Sequence, residues 1–291
     1  MILLLLLSSF YFCFAVVPGF FCCLLTLIYG KYYWDGGENT TKKSWIEFRT
    51  WRGWNLIVGF AHAYFSYKVT GKLHEGQQSF FIAYNHGWIP LGLLFNFGVT
   101  GSAHKLPLFK GKPCLLAVSR NMFVLPGLRE LCLWSGCINC SRESISHALE
   151  EGYSVILYVG GSKEAAMNSD KLDLDFSHKG FLNIAQVQQV NPTPVFCKGE
   201  NEVFWTSNFF GTLRRKAACL LGYPFPTVFW PIAKPVNVEL IFGKQTASKE
   251  EEFFTELQEI ICDNVSKEKL SETLRDKMNY VRFRKRSSPI F

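Results

Sequence analysis

From Ile2 to Tyr29 the chain carries no charged residue. A bilayer crossing needs about 20 apolar residues, so this run is long enough to enter a membrane. It has no Lys or Arg ahead of it and no clear small-x-small site after it, which argues against a cleaved signal peptide. Internal repeats and low-complexity linkers are also missing, so solenoids and beads on flexible strings are excluded. Cys137 and Cys140 form a C-x-x-C pair, but no second pair and no His at finger spacing complete a zinc site. No metal is expected. The G-x-x-x-x-G-K-[ST] spacing of a phosphate-binding loop is absent.

What remains is apolar and aromatic. The 291 residues include 27 Phe, 11 Tyr and 8 Trp. Trp and Tyr settle at bilayer interfaces, so this composition suits a protein that meets an apolar phase. The formal charge is +7, part of it gathered in Arg275, Lys277, Arg282, Arg284, Lys285 and Arg286. A basic tail beside an apolar segment suits an anionic leaflet. No nucleic-acid module accompanies it, so nucleic acid is not an expected partner. Ten Cys without a scaffold pattern fit a reducing compartment.

Residues 1–30 are expected to form a membrane anchor. Pro18-Gly19 divides it, either kinking a single span or turning a re-entrant hairpin. Lys31, Lys42, Lys43, Arg49 and Arg52 follow it and place the rest of the chain on the cytoplasmic side. In residues 31–75, Trp45, Phe48, Trp51 and Trp54 recur at every third position, which predicts an aromatic helix lying in the interface.

Residues 76–291 read as one α/β domain with a basic tail. Buried strands are expected at 79–84, 114–119, 154–159, 194–197 and 238–242, the first strand lying near residue 79. Helical stretches are expected at 127–135, 144–151, 179–190, 250–265 and 267–279. The fold class is therefore α/β, a mixed sheet flanked by helices behind an N-terminal transmembrane or hairpin anchor.

Three segments follow strands, where such folds place chemistry. Tyr84-Asn85-His86-Gly87 puts a His directly after a buried strand, where it can take a proton from an attacking hydroxyl. Gly160-Gly161-Ser162-Lys163-Glu164 offers close backbone approach, N–H groups for an oxyanion, a cation and a carboxylate. Ser141 is a candidate helix cap, with Arg142 near a helix N-terminus where a phosphate is favoured. Each has an ordinary structural reading: a core His, a turn, a surface Arg.

Together, in this order, the segments resemble the glycerolipid acyltransferase superfamily. The resemblance is greatest on its diacylglycerol/monoacylglycerol side, and above all to the small branch of ER transmembrane acyltransferases. Tyr84 to Pro90 matches the family's His-Gly block. Leu125 to Leu128, Gly136 and Ser141-Arg142-Glu143 match a second block, and Gly160 to Ala165 the Gly-Gly-x-x-Glu block. His178-Lys179-Gly180-Phe181 and Gly199-Glu200-Asn201-Glu202-Val203-Phe204 match two more. The resemblance implies acyl-CoA as co-substrate, no cofactor, a glycerolipid acceptor and a location at the ER membrane, facing the cytoplasm. It implies His86 as general base. Glu164 is a candidate to orient it, because Gly92 stands where the nearest branch has Asp. Asn85, Gly87, Arg142, Gly160, Gly161, Lys163, Lys179, Glu200 and Asn201 are the implied substrate-binding positions. A neutral acceptor, diacylglycerol or monoacylglycerol, is favoured. The alternatives are a lysophospholipid or glycerol-phosphate acyltransferase and an inactive lipid-binding relative.

Overall fold

The computed structural model describes residues 17–71, 76–85, 87, 89–160, 172, 174, 176–206, 210, 212, 213, 216, 228–230, 233–266, 269–272 and 274. The chain divides into two compact units, Met1–Gly37 and Glu38–Phe291.

In the first unit, α1 runs over Val17–Tyr33. Pro18 and Gly19 lie in its first turn, where Pro costs no helical hydrogen bond. The first half of the apolar run, and with it the choice between a kinked span and a hairpin at Pro18-Gly19, lies outside the described residues. Phe20, Phe21, Leu27 and Ile28 are exposed along it. No helix among the described residues is long and apolar enough to cross a membrane.

The second unit is built on a seven-stranded sheet. Its strands are β1 (Lys68–Thr70), β2 (Phe80–Tyr84), β3 (Leu115–Val118), β4 (Cys137–Asn139), β5 (Val155–Tyr158), β6 (Pro192–Lys198) and β7 (Glu239–Phe242). Their order across the sheet is β1-β7-β6-β2-β5-β3-β4. Strands β6, β2, β5, β3 and β4 are mutually parallel, and β7 runs antiparallel to β6. Strand β1 closes the far edge, parallel to β7. The mixed α/β sheet expected from sequence is thus present.

Two strands escape the sequence reading. Val69 in β1 is exposed and its strand has no buried face, so the sheet begins at residue 68 and not near 79. The three residues of β4 are too few to show a period.

Strand β2 is central and wholly buried, as its unbroken apolar sequence FFIAY requires of a parallel strand. Alternation then divides the core. Phe80, Ile82 and Tyr84 join one cluster with Ile145, Phe181, Phe253 and Leu257. Phe81 and Ala83 join the other with Leu93, Phe97, Phe109 and Leu133.

Helices α6 (Arg142–Glu150), α7 (Gly180–Val187) and α8 (Glu250–Asn264) supply the first cluster. In α8, Phe253, Phe254, Leu257, Ile260 and Ile261 recur at helical spacing and are buried, and Glu250, Glu251 and Glu252 complement the positive end of the helix. Helices α4 (Leu91–Leu93) and α5 (Leu128–Trp134) lie on the opposite side. The expected helix at 267–279 lies largely outside the described residues.

The aromatic stripe of residues 45–54 is not one helix. It is split between α2 (Ile46–Arg49) and α3 (Trp54–Phe65), joined by a turn. Arg49, at the end of α2, is fully buried. Its guanidinium donates to the Phe97 carbonyl, to Gly98 O at 2.9 Å, to Cys114 O at 2.9 Å and to Ser44 Oγ at 3.0 Å. Burial lowers its pKa to about 10, so it stays charged at neutral pH. Trp45 packs edge-on against Trp134, and Phe48 against Trp54. Trp51, Leu56, Ile57 and Phe60 are left exposed.

Candidate active site

All five parallel strands end on one edge of the sheet, and open α/β sheets bind ligands outside the carboxyl ends of their strands. Strand β2 delivers Asn85 and Gly87 to that edge. Its neighbour β5 delivers Gly160, and its other neighbour β6 delivers Gly199, Glu200 and Asn201. His86, Gly161, Lys163 and Glu164 lie outside the described residues.

The segment after β6 closes on both sequence neighbours of His86. Asn85 is buried in the left-handed conformation, with φ 66°. Its Nδ2 donates to Cys197 O at 2.6 Å and to Asn201 Oδ1 at 3.2 Å. Asn tolerates this conformation better than most residues. Gly87 has φ 58°, and a Cβ there would lie 2.3 Å from the Glu200 carbonyl oxygen. Only glycine allows so close an approach.

Glu200 completes the enclosure. Its side chain is fully buried, and its Oε1 accepts the Gly92 N–H at 2.6 Å. A Cβ on Gly92 would stand 2.7 Å from that oxygen. Among the described residues its other oxygen, Oε2, is buried without a hydrogen-bond partner. Burial is the main cause that raises the Glu200 pKa to about 8, opposed by backbone N–H bonds from Gly92 and Leu91. The carboxyl is therefore mostly protonated at neutral pH. Tyr67 and Tyr158 feel its charge, and burial above all raises both phenols.

The other expected positions are spread out. Gly160 sits beside β2, since Val159 N donates to Ala83 O at 3.1 Å. Arg142 is the exposed first residue of α6, and Ser141 caps that helix through a 3.2 Å bond from Ser144 N. It follows β4, three strand spacings from β2, or about 14 Å. The structure does not bring Arg142 against Asn85 and Gly87. Lys179 caps α7, is exposed and pairs with Glu250 of α8 at 2.5 Å.

Sequence reasoning missed the role of Cys197 O at Asn85 and those of Tyr67 and Tyr158 near Glu200. The carbonyl has no side-chain signal. Tyr67 comes from a segment more than a hundred residues before Glu200, which no local pattern joins to it.

Among the described residues no group of His, Cys, Asp and Glu is placed to hold a metal ion. The arrangement is instead a backbone loop at the end of the central strand, held against a second loop through Asn85, Gly87 and Gly92.

The chain is similar in sequence to curated acyltransferases. Diacylglycerol O-acyltransferase 2 of Danio rerio is 29% identical over 203 residues, 64% of this chain and 53% of the relative. 2-Acylglycerol O-acyltransferase 1 of Bos taurus is 28% identical over 204 residues, 66% of this chain and 59% of the relative. Diacylglycerol O-acyltransferase 1 of Eremothecium gossypii is 33% identical over 139 residues, 46% of this chain and 29% of the relative. The chain thus spans only about a third to three fifths of the length of these curated relatives. No solved structure matches it. The family model described as diacylglycerol acyltransferase matches residues 13–220, which include the whole loop enclosure, and the chain belongs to that family.

Proposed function

We propose that this protein is an O-acyltransferase that moves an acyl group from acyl-CoA to the hydroxyl of a glycerolipid, diacylglycerol or monoacylglycerol being favoured. One observation carries the reading: the family's His-Gly segment leaves the central strand and is gripped on both sides of His86, by Asn201 on Asn85 and by Glu200 on Gly87. A general base works only when held within hydrogen-bond reach of the proton it removes. A loop fixed in this way is preorganised for that task.

The reaction in this reading is direct. His86 takes the acceptor hydroxyl proton as the oxygen attacks the thioester carbonyl carbon. The C–S bond breaks, the ester remains, and the CoA thiolate leaves with that proton from the imidazolium. Backbone N–H groups of the Gly160-Gly161 turn, or Lys163, stabilise the oxyanion. Glu164 is the candidate orienting carboxylate for His86. The place of Arg142, exposed and three strands away from Asn85 and Gly87, favours a neutral acceptor over a phosphate-bearing one.

The bilayer is the source of the acceptor. The exposed apolar side chains of α1, with Tyr29, Tyr32 and Tyr33 in its last turns and Trp34 after it, support a membrane anchor with an aromatic end at the interface. The free cysteines and the Lys and Arg after the apolar run support a cytoplasm-facing domain at the ER membrane.

The test is product formation in membranes carrying the full chain, with a long-chain acyl-CoA and separate acceptors: monoacylglycerol, diacylglycerol, lysophospholipid and long-chain alcohol. Triacylglycerol or diacylglycerol should form with the wild type and fall at least a hundredfold with His86→Ala. Equal product from both proteins would end the enzymatic reading.

A further inference from the structure

Gly92 and Glu200 are 108 positions apart and occupy one space. A side chain at Gly92 would begin 2.7 Å from Glu200 Oε1, so the Glu200 carboxyl already fills the place into which that side chain would grow. The contact is a bond as well as an occupancy, because Glu200 Oε1 accepts the Gly92 N–H at 2.6 Å. Leu240 Cδ2 and Val238 Cγ1, at 3.1 and 3.3 Å from the same point, close the remaining sides.

The same short segment touches the loop twice more. The Glu200 carbonyl abuts Gly87, and Asn201 holds Asn85. Residues 85, 87 and 92 are thus fastened to residues 200 and 201, and His86 lies in sequence between two of the fastened positions. A side chain so engaged, fully buried and facing a backbone N–H, is badly placed to bind a lipid or a CoA phosphate.

We propose that Glu200 is a positioning residue for the loop that carries His86, its carboxyl filling the space beside Gly92 and its carbonyl the space beside Gly87. It acts through the backbone of Gly87 and Gly92 and makes no contact with substrate. This rests on the acyltransferase reading above.

The experiment is steady-state kinetics on the full chain in mixed micelles, with a long-chain acyl-CoA and diacylglycerol. Glu200→Ala should lower kcat at least tenfold and leave both KM values within twofold of wild type, which a substrate contact would not do. Glu200→Gln, which keeps the acceptor for Gly92 N–H, should recover most of the lost turnover. Gly92→Asp should be nearly inactive alone, from collision with Glu200, and should raise kcat at least threefold when added to Glu200→Ala. Three results overturn the proposal: Glu200→Ala within twofold of wild type, a raised KM with kcat intact, or Gly92→Asp that impairs Glu200→Ala further. If Glu200→Ala does not accumulate as folded protein, Gly92→Ala decides. Its Cβ displaces the carboxyl, so a fall in kcat at constant KM supports the proposal and an unchanged kcat overturns it. A wild type that forms no ester with any acceptor sinks the acyltransferase reading itself, and is distinct from a working wild type that tolerates Glu200→Ala.

Discussion

The Glu200 carbonyl oxygen stands 2.3 Å from the point where a Cβ on Gly87 would be. No side chain fits there without movement of one backbone segment against the other. Gly87 also sits at φ 58°, a conformation that costs other residues about 1–2 kcal/mol. Gly87→Ala should therefore destabilise the fold by about 2–3 kcal/mol. It should also reduce turnover at least tenfold, because the forced shift falls on the residue next to His86. Thermal melting and acyl transfer, measured on the same detergent-solubilised preparation, test both parts. A variant with normal melting and normal turnover would mean that the two loops separate freely.

Asn85 gives a sharper chemical test, since its NH2 faces two oxygens, Cys197 O and Asn201 Oδ1. Asn85→Ala leaves the buried Cys197 carbonyl without this donor and should cost about 1–3 kcal/mol. Asn85→Asp presents a carboxylate to the same two oxygens and should be worse than Ala. The order Asn, Ala, Asp in decreasing melting temperature is the expected result. Asp equal to or better than Ala would show that the amide does not donate as placed.

Much of the fold was legible because its central strands are apolar without interruption. FFIAY, CLLAV and VILY can only be buried on both faces, and they are β2, β3 and β5 with their margins. The edges were not legible, because β1 and β4 are three residues each and take their place from pairing, not from pattern. The stripe from Trp45 to Trp54 misled for a related reason. A period of three fits a helix on paper, but the chain turns after the buried Arg49 and the stripe falls on two helices. In the site, the sequence showed which segments matter and not how they meet. Glu200 and Asn201 read as substrate contacts, yet a buried hydrogen bond to Gly92 or Asn85 leaves no mark on either segment alone.

Glu200 should set part of the pH dependence of stability. Its pKa is about 8 in the fold against an ordinary 4.5, so between those values the folded state binds a proton that the unfolded state has released. Its contribution is fully present below about pH 4.5 and is lost as pH rises towards 8, after which it is constant. The slope is about 1.4 kcal/mol per pH unit while it lasts. Tyr67 and Tyr158, the titratable groups that face it, remain neutral across this window because burial raises both. Glu200→Gln removes the slope. Melting temperatures of wild type and Glu200→Gln should therefore diverge as pH rises from 5 to 8, the wild type falling relative to the variant. Parallel curves would mean that the carboxyl ionises as if in water.

Arg49 should be irreplaceable by lysine. It serves three backbone carbonyls and Ser44 Oγ with a planar fork, whereas an ammonium on a shorter stem cannot span them. Either Arg49→Lys or Arg49→Met leaves buried acceptors unpaired, at about 3–5 kcal/mol for loss of so engaged a charge. Both should lower the yield of folded protein, and turnover per folded molecule should fall less than yield. A lysine variant with wild-type melting would remove Arg49 from its place as the joint between the aromatic segment and the sheet.

The exposed face of α3 tests the bilayer as source of the acceptor. Leu56 and Phe60 are one helical turn apart and are 82% and 65% exposed. Burial of each in an interface is worth about 1.5–3 kcal/mol, and a charge in the same place reverses the gain. The double variant Leu56→Glu, Phe60→Glu should raise the apparent KM for diacylglycerol presented in vesicles at least fivefold. The KM for acyl-CoA should not move, because CoA arrives from water. In detergent micelles, which adapt to the protein surface, the double variant should regain most of its wild-type rate. An equal KM for diacylglycerol in vesicles, with and without the two charges, would mean that this face does not meet the lipid.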